Sequence, residues 1–162
     1  MQIVFLHGLE TGPHGSKYQA LRLMFGEVIS PDCEGVKEPQ QRLAIIQQTL
    51  SDQTGPFLVV GSSAGGLMAL LLQREDPRVK GLVLCAPALH TEHGDTLTAE
   101  GLPDTVIIHG RGDDVVPIEC SREFGAPLVE VDDDHRLNDS LPLMLRLVFE
   151  MKLKAQFPSN SR

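Results

Sequence analysis

The residue best suited to perform chemistry in this sequence is Ser63, the centre of the Gly-x-Ser-x-Gly stretch Gly61–Gly65. A serine hydroxyl attacks a carbonyl carbon efficiently only when a base removes its proton, and a histidine oriented by a carboxylate is the common arrangement. Asp113 and His135 follow Ser63 in that order along the chain. These residues predict acyl transfer, with Ser63 as nucleophile, His135 as general base and later general acid, and Asp113 as the group that orients the imidazole.

The stretch around Ser63 predicts a sharp turn from a buried strand into a buried helix. Four apolar residues, 57–60, precede the motif, and six more, 67–72, follow it. Gly61 and Gly65 carry no side chain, so the strand and the helix can approach each other, and Ser63 at the apex is held in a strained conformation with its hydroxyl exposed. A tight glycine turn without chemistry is the alternative interpretation of these five residues alone.

Strands and helices are predicted to alternate along the chain. Apolar runs predict six strands, at residues 2–6, 27–31, 57–60, 79–86, 105–109 and 127–131. Helices are expected at residues 16–25, 40–52, from 64 to about 76, within 111–124, and at 138–155. Such alternation favours an α/β fold, with a mostly parallel sheet, right-handed crossovers and helices on both faces.

Three of these helices carry more specific expectations. The stretch Ser16–Gln19 has the form of a capping box and places the start of the first helix at its serine. In the second helix, Leu43, Ile46 and Leu50 recur at helical spacing and form the inner face. The last helix follows a cap at Asn138–Ser140 and is apolar except for one narrow polar stripe. It is therefore expected to be buried on most sides, against the sheet and against a second subunit.

The strand ends are where the reactive side chains should meet, because sites on parallel sheets lie at the carboxyl ends of the strands. The first predicted strand leads into His7–Leu9 and the third leads into Ser63. The fifth and sixth lead into Asp113 and His135. The chain order serine, acid, histidine is that of the α/β-hydrolases.

On these stretches the sequence resembles the α/β-hydrolase superfamily, and within it is similar to the compact bacterial esterases of the YqiA/YcfP-like family. The matching stretches are Phe5–Gly8, Ser16–Lys17, Gly61–Gly66, the His-Gly-x-x-Asp-x-x-Val-Pro pattern at 109–117, and His135 ahead of Asn138–Asp139. The resemblance covers nearly the whole chain. It implies one minimal α/β-hydrolase-like domain over residues 1–162, without the two leading strands of the full fold and without a lid domain.

The resemblance also implies where the remaining site residues lie. The N–H groups of Leu9 and Ala64 would form the oxyanion hole, and Gly8 and His14 would lie near the substrate. Asp114 is the rival to its neighbour as the triad acid, and the family spacing favours Asp113. His7 and His109 are interpreted as structural residues.

Composition limits the partners. The net charge is −8 and no basic run occurs, which argues against nucleic acid and anionic membranes as partners. No signal peptide is expected at the start of the sequence, and three cysteines are interpreted as free thiols in a reducing cytoplasm. The motif His90–His93 matches no strong zinc pattern, so no metal is predicted, and no cofactor is needed because the mechanism requires only water.

The expected function is therefore that of a serine hydrolase that cleaves small or short-acyl carboxylic esters through an acyl-enzyme. A thioesterase or amidase would use the same triad, and the sequence does not separate these reactions. A non-catalytic binding module on the same fold is the alternative from a different class. A small-molecule acyl substrate is the expected partner, and the apolar last helix is compatible with a homodimer.

Overall fold

The computed structural model describes residues 1–159, in which strands and helices alternate along the chain except at residues 86–103, where a segment with a 3₁₀ turn at Gly94–Thr96 joins two strands. The strands are β1 (Gln2–Leu6), β2 (Val28–Ile29), β3 (Phe57–Ser62), β4 (Val79–Cys85), β5 (Asp104–Gly110) and β6 (Leu128–Val131). The helices are α1 (Ser16–Phe25), α2 (Pro39–Leu50), α3 (Ala64–Glu75), α4 (Ile118–Phe124) and α5 (Leu141–Gln156).

The six strands form one sheet in the order β2-β1-β3-β4-β5-β6, and every neighbouring pair is parallel. The predicted number of strands and their parallel arrangement are therefore confirmed. In the strand order, β3 and β4 are the central pair, β1 lies next to β3, and β5 and β6 lie together on one side. The carboxyl ends of all six strands point toward the same edge of the sheet, because the strands are parallel.

Helices cover both faces of the sheet, as the alternating pattern predicted. On one face, α2, α3 and α4 pack against the sheet, and the inner residues of α2 are Leu43, Ile46 and Leu50, all fully buried. On the other face, α1 contributes Leu21 and α5 contributes Met144, Val148 and Met151. The residues of β1, β3 and β4 are nearly all buried, because helices cover both faces of the sheet, and this explains why these strands are apolar runs rather than alternating patterns.

The turn between β3 and α3 is too tight for side chains at its glycines. A Cβ atom at Gly65 would overlap the backbone carbonyl of Leu6, and one at Gly61 would overlap the carbonyl of Gly65. Ser63 at the apex has φ 55° and ψ −115°, a backbone conformation that residues other than glycine rarely adopt. The predicted strained turn from strand to helix is confirmed.

Two predicted helix caps are wrong. Helix α1 does begin at Ser16, but Gly15 occupies the N-cap position and no side chain caps the helix; the Gln19 amide instead donates to the His14 carbonyl. Residues 138–140 form a 3₁₀ turn, and the side chain of Ser140 does not cap α5 but donates to Asp133. In both places the side chain bonds to a group outside the helix, five residues earlier for Gln19 and seven residues earlier for Ser140, and the capping bond that the sequence pattern suggested is not formed.

Helix α5 is less buried than its composition predicted. Only one face, formed by Met144, Val148 and Met151, is buried in the chain. Phe149 is 46 % exposed and Leu153 is 44 % exposed. The prediction of burial on most sides is therefore wrong within this chain, because a single sheet can cover only one stripe of a helix.

A membrane-crossing helix would need about 20 mostly apolar residues. None of the helices within residues 1–159 has both the length and the apolar character required.

The contact between the start of α3 and the end of β1 yields a test of the fold. Replacing Gly65 by alanine would force a Cβ atom into the Leu6 carbonyl, which belongs to the backbone and cannot rotate away. We expect Gly65→Ala to lower the free energy of unfolding by at least about 3 kcal/mol, measured by urea denaturation.

Gly15→Ala is the matched control, because a Cβ atom at Gly15 meets no atom within 4 Å and the residue has an ordinary φ of −72°. It should cost less than about 1 kcal/mol. Equal stabilities of the two variants would contradict the proposed steric role of Gly65.

Candidate active site

Ser63, His135 and Asp113 form one hydrogen-bonded series at the carboxyl edge of the sheet. The Ser63 hydroxyl lies 3.0 Å from His135 Nε2 and His135 Nδ1 lies 2.8 Å from Asp113 Oδ2. With the carboxylate ionised, Nδ1 must carry the proton, so Nε2 is free to accept from the serine. The three side chains come from the ends of β3, β5 and β6, and the structure brings them together as the chain order predicted.

The carboxylate of Asp113 is enclosed and held from several sides. Its side chain is fully buried, and its Oδ1 accepts the backbone N–H groups of Val115 at 2.9 Å and Val116 at 2.8 Å. Burial acts to raise the pKa of Asp113, but the hydrogen bonds from His135 and from the two N–H groups outweigh it and leave the pKa below its ordinary value. The group is therefore an anion at neutral pH and orients the imidazole at the same time.

A second histidine lies against the same carboxylate. His109 Nε2 is 3.1 Å from Asp113 Oδ2 and donates to the carbonyl of Val116 at 2.9 Å. On the other side of its ring, Nδ1 is 2.7 Å from the hydroxyl of Ser121, which donates to it. His109 and Ser121 are fully buried, so this pair fixes the ring and supports the loop that carries Asp113. The interpretation of His109 as a structural residue is consistent with these contacts.

Asp113, and not the rival acid Asp114, makes the hydrogen bond to His135. Asp114 is exposed, whereas the Asp113 side chain is buried and contacts His135. The acidic stretch before His135 has structural bonds of its own: Asp133 accepts from Ser140, and Asp132 pairs with Arg111 at 2.7 Å.

Two backbone N–H groups next to Ser63 have no acceptor among residues 1–159. One belongs to Ala64, the first residue of α3, and the other to Leu9 in the loop after β1. This loop runs beside the serine, because a Cβ atom at Gly8 would lie 3.4 Å from the Ser63 Cβ. The two N–H groups that were predicted to bind an oxyanion are thus unpaired within residues 1–159, and both belong to segments that lie beside Ser63.

The loop after β1, which contains Gly8 and Leu9, is held by His7 and Arg42. His7 Nδ1 donates to the carbonyl of Gly8 at 2.7 Å, and His7 Nε2 accepts the N–H of Cys33 at 3.0 Å. Burial lowers the pKa of His7, and the acceptor role of Nε2 likewise requires the neutral ring. The guanidinium of Arg42 donates to the carbonyls of His7 and Gly8 at 3.0 and 3.1 Å.

The loop that carries His135 is held in a comparable way by Lys17. The Lys17 ammonium, on the buried side of α1, donates to the carbonyl of Arg136 at 2.7 Å. Arg136 directly follows His135, so this bond ties the histidine loop to α1 across the sheet face. Two buried cations, Arg42 and Lys17, therefore support the two loops on either side of Ser63.

The roles of these two cations were not predicted from the sequence. A signal for Arg42 was present, because it precedes Ile46 by four residues and so falls on the same buried face of α2. For Lys17 the only signal was its place in the matching stretch Ser16–Lys17, since arginine and lysine on a helix are more often exposed.

His14 is exposed, and its ring centroid lies 4.6 Å from that of Tyr18 on α1. Its contact with a substrate stays a prediction. Cys33, Cys85 and Cys120 are free, as the sequence predicted. Burial raises the pKa of Cys85 to about 11, so this thiol stays protonated at neutral pH and is a poor nucleophile.

The comparisons with known proteins concern the fold. No protein-family model matches the sequence, and no curated protein matches it significantly. Similar solved structures include Est1E from Butyrivibrio proteoclasticus, with 20 % identity over 94 % of this chain and 87 % of that one, at a TM-score of 0.76. Mouse α/β hydrolase domain-containing protein 10 shares 16 % identity over 95 % of this chain and 90 % of that one, at 0.79.

A further similar structure is MGS-MChE2, an α/β hydrolase enzyme from the sediment metagenome of the Mar Chica lagoon in Morocco. It shares 21 % identity over 97 % of this chain and 92 % of that one, at a TM-score of 0.75. The parallel six-stranded sheet and the sharp turn at Ser63 agree with these similarities. We conclude that this chain has the α/β-hydrolase fold.

Proposed function

We propose that the protein is a serine hydrolase that cleaves small or short-acyl carboxylic esters through an acyl-enzyme. The observation that carries the proposal is the continuous series Ser63–His135–Asp113, with both hydrogen bonds at 3.0 Å or less. The strained apex and the two unpaired N–H groups beside it add the other parts that acyl transfer needs. The named α/β hydrolase enzyme among the structurally similar proteins is consistent with this proposal.

In the proposed mechanism, Ser63 Oγ bonds to the acyl carbon of the ester while His135 Nε2 takes the hydroxyl proton. The carbonyl oxygen becomes an oxyanion that accepts the N–H groups of Leu9 and Ala64. The intermediate collapses by breaking the bond to the alcohol oxygen, which takes the proton from His135. A water molecule then attacks the acyl-enzyme with His135 again as base, which releases the acid and restores Ser63.

The range of acyl substrates follows from the loops around the site. Within residues 1–159, the longest connection at the carboxyl edge is the segment 86–103 between β4 and β5, which contains one 3₁₀ turn, and no inserted lid domain covers Ser63. We therefore propose small-molecule substrates without interfacial activation. Thioesters and amides are alternative substrates of the same triad, and a binding module remains the alternative from a different class.

The remaining partner and location expectations are part of the same proposal. A net charge of −8 disfavours nucleic acid and anionic membranes. Three free thiols suit the cytoplasm. The exposed Phe149 and Leu153 on α5 are compatible with a homodimer.

The proposed nucleophile is tested by labelling with a fluorophosphonate probe. Wild-type protein should gain the mass of one adduct. Ser63→Ala should gain none, because the other serine bonded to a histidine within residues 1–159, Ser121, is fully buried and out of reach of the probe. Ester hydrolysis should fall by about 10³-fold or more in Ser63→Ala. Ser62→Ala is the matched control, since it removes the adjacent hydroxyl and should leave labelling within about threefold of wild type. Failure of the folded wild-type protein to label would favour the binding module.

The assignment of the acid is tested with two neighbouring aspartates. Asp113→Asn should lower kcat by about 10⁴-fold at neutral pH, because the amide can hold the imidazole in the wrong tautomer. Asp114→Asn, at an exposed position, should change kcat by less than about threefold. The reverse result would identify Asp114 as the acid.

The low pKa of Asp113 adds a dependence of stability on pH. A carboxyl whose pKa is lower in the folded state stabilises the fold fully above its unfolded pKa of 3.8, and this contribution disappears as the pH falls through the lowered folded value. Asp113→Asn should lose this contribution. The difference in unfolding free energy between wild type and variant should therefore be largest above pH 4 and shrink below it. A difference that grows on acidification would contradict the assignment.

Substrate class is tested with p-nitrophenyl esters of increasing acyl length beside matching acyl-CoA thioesters and anilides. We expect kcat/KM to be highest for acyl chains of about two to six carbons and to be lower for CoA thioesters, whose anionic leaving group meets a chain with a net charge of −8. A steep preference for long chains, or a rise in rate at a lipid interface, would contradict this substrate class.

A further inference from the structure

Arg42 is a buried cation that the proposed mechanism does not use. It is 2 % exposed, and its guanidinium donates only to backbone carbonyls. The acceptors are those of Val36 at 2.6 Å, His7 at 3.0 Å, Gly8 at 3.1 Å and Cys33 at 3.5 Å. The side chain thus reaches from α2 to the loop that runs beside Ser63.

Burying Arg42 at this position costs more free energy than burying an apolar residue of similar size would. Among residues 1–159, no carboxylate lies within 4.0 Å of its guanidinium, so the charge is balanced by carbonyl dipoles alone. Removing a cation from water without a counter-ion is unfavourable, and an apolar side chain on the same helix face would avoid this penalty. The arrangement therefore calls for a role that an apolar residue cannot fill.

That role follows from the geometry of one peptide unit. The carbonyl of Gly8, which accepts from Arg42 and from His7, belongs to the same peptide group as the N–H of Leu9. Within residues 1–159, the cis peptide bond precedes Pro56, so the Gly8–Leu9 bond is trans and planar. In a trans peptide, the N–H and the C=O point in opposite directions. Fixing the Gly8 oxygen toward Arg42 therefore fixes the Leu9 N–H on the opposite side.

We propose that Arg42 is a positioning residue for the oxyanion hole. It holds the Gly8–Leu9 peptide plane so that the Leu9 N–H faces the reacting carbonyl oxygen. The inference rests on the proposed hydrolase function. Gly8 lies directly beside Ser63, since a Cβ atom at Gly8 would be 3.4 Å from the serine Cβ, and the Leu9 N–H has no acceptor in the described chain. His7 supplies one bond to this carbonyl and Arg42 the other, so the plane is held from two directions.

The two guanidinium nitrogens that contact this loop explain why an arginine, rather than another cation, is needed at this position. Arg42 Nη1 binds the His7 carbonyl and Nη2 binds the Gly8 carbonyl, so a rigid planar fork spans two successive peptide groups. A lysine at this position keeps the charge but has one nitrogen in place of the fork. It would satisfy one of the two carbonyls, and without the Nη2 bond the Gly8–Leu9 plane would be held by His7 alone.

The experiment compares Arg42→Lys and Arg42→Met with wild type on the best ester substrate. We expect kcat to fall by about 10-fold in Arg42→Lys and by about 10²-fold in Arg42→Met, as for the loss of one oxyanion donor. KM and the affinity for the carboxylic acid product should change by less than threefold. The affinity for a trifluoromethyl ketone with the same acyl group should fall as much as kcat/KM, because its adduct with Ser63 carries an oxyanion.

A merely structural role would give a different set of results. If Arg42 only stabilised the loop, its replacement would lower kcat, raise KM, weaken product binding and alter the pH dependence of kcat/KM. If Arg42 positions the Leu9 N–H, the pH profile of kcat/KM should keep its shape in the variants. Arg74→Met is the matched control, because Arg74 is an exposed arginine on α3. It should leave all of these quantities within threefold of wild type.

The outcomes separate the inference from the function on which it rests. Wild-type protein that neither hydrolyses esters nor labels at Ser63 would overturn the proposed function. An active wild type with kcat retained within threefold in both folded Arg42 variants would overturn the inference alone. If Arg42→Met does not fold, the kinetics of Arg42→Lys decide whether the inference holds. If neither variant folds, the inference is overturned and Arg42 has a purely structural role.

Discussion

The close approach of helix α3 to the end of β1 is the constraint on which the rest of the site depends. Gly65 lies against the backbone carbonyl of Leu6, with no room for a side chain. This contact fixes where α3 begins, and so it forces Ser63 into its left-handed conformation at the apex of the turn. It also sets the distance between the serine and the loop that follows β1. One backbone contact therefore positions both the hydroxyl and the N–H groups beside it.

The loops around this rigid centre are held by cations that bind carbonyl oxygens. Arg42 supports the loop containing Gly8, and Lys17 supports the loop containing His135 through the carbonyl of Arg136. A carbonyl dipole carries no net charge, so these bonds orient peptide groups without placing another anion near the series that ends in Asp113. A carboxylate in the same places would compete with Asp113 for the imidazolium that forms during the proposed reaction.

Much of this arrangement could be predicted from the sequence because it follows from local patterns. Apolar runs identified the six strands, and Gly61 and Gly65 identified the sharp turn between β3 and α3. The strand-end rule brought Ser63, Asp113 and His135 to one edge, although their chemical roles stay predictions. The buried cations could not be assigned in the same way, because their partners are carbonyls far away along the chain, and a carbonyl gives no sequence signal. The predicted caps at α1 and α5 failed because the Gln19 and Ser140 side chains bond instead to the His14 carbonyl and the Asp133 carboxylate, partners that the capping pattern does not specify.

The residues of the site come from strands that are far apart in the sequence, and this affects when the site forms during folding. Ser63 leaves β3, but the imidazole that contacts it follows β6, 72 residues later in the chain. During synthesis from the amino terminus, the serine is present long before its hydrogen-bond partner, and strands that pair across such separations close late in folding. A nascent or truncated chain that ends before β6 therefore presents an ordinary alcohol. For the proposed nucleophile, activation by His135 therefore waits until the last strand has joined the sheet, so in the proposed hydrolase the fold itself postpones ester cleavage until the sheet is closed.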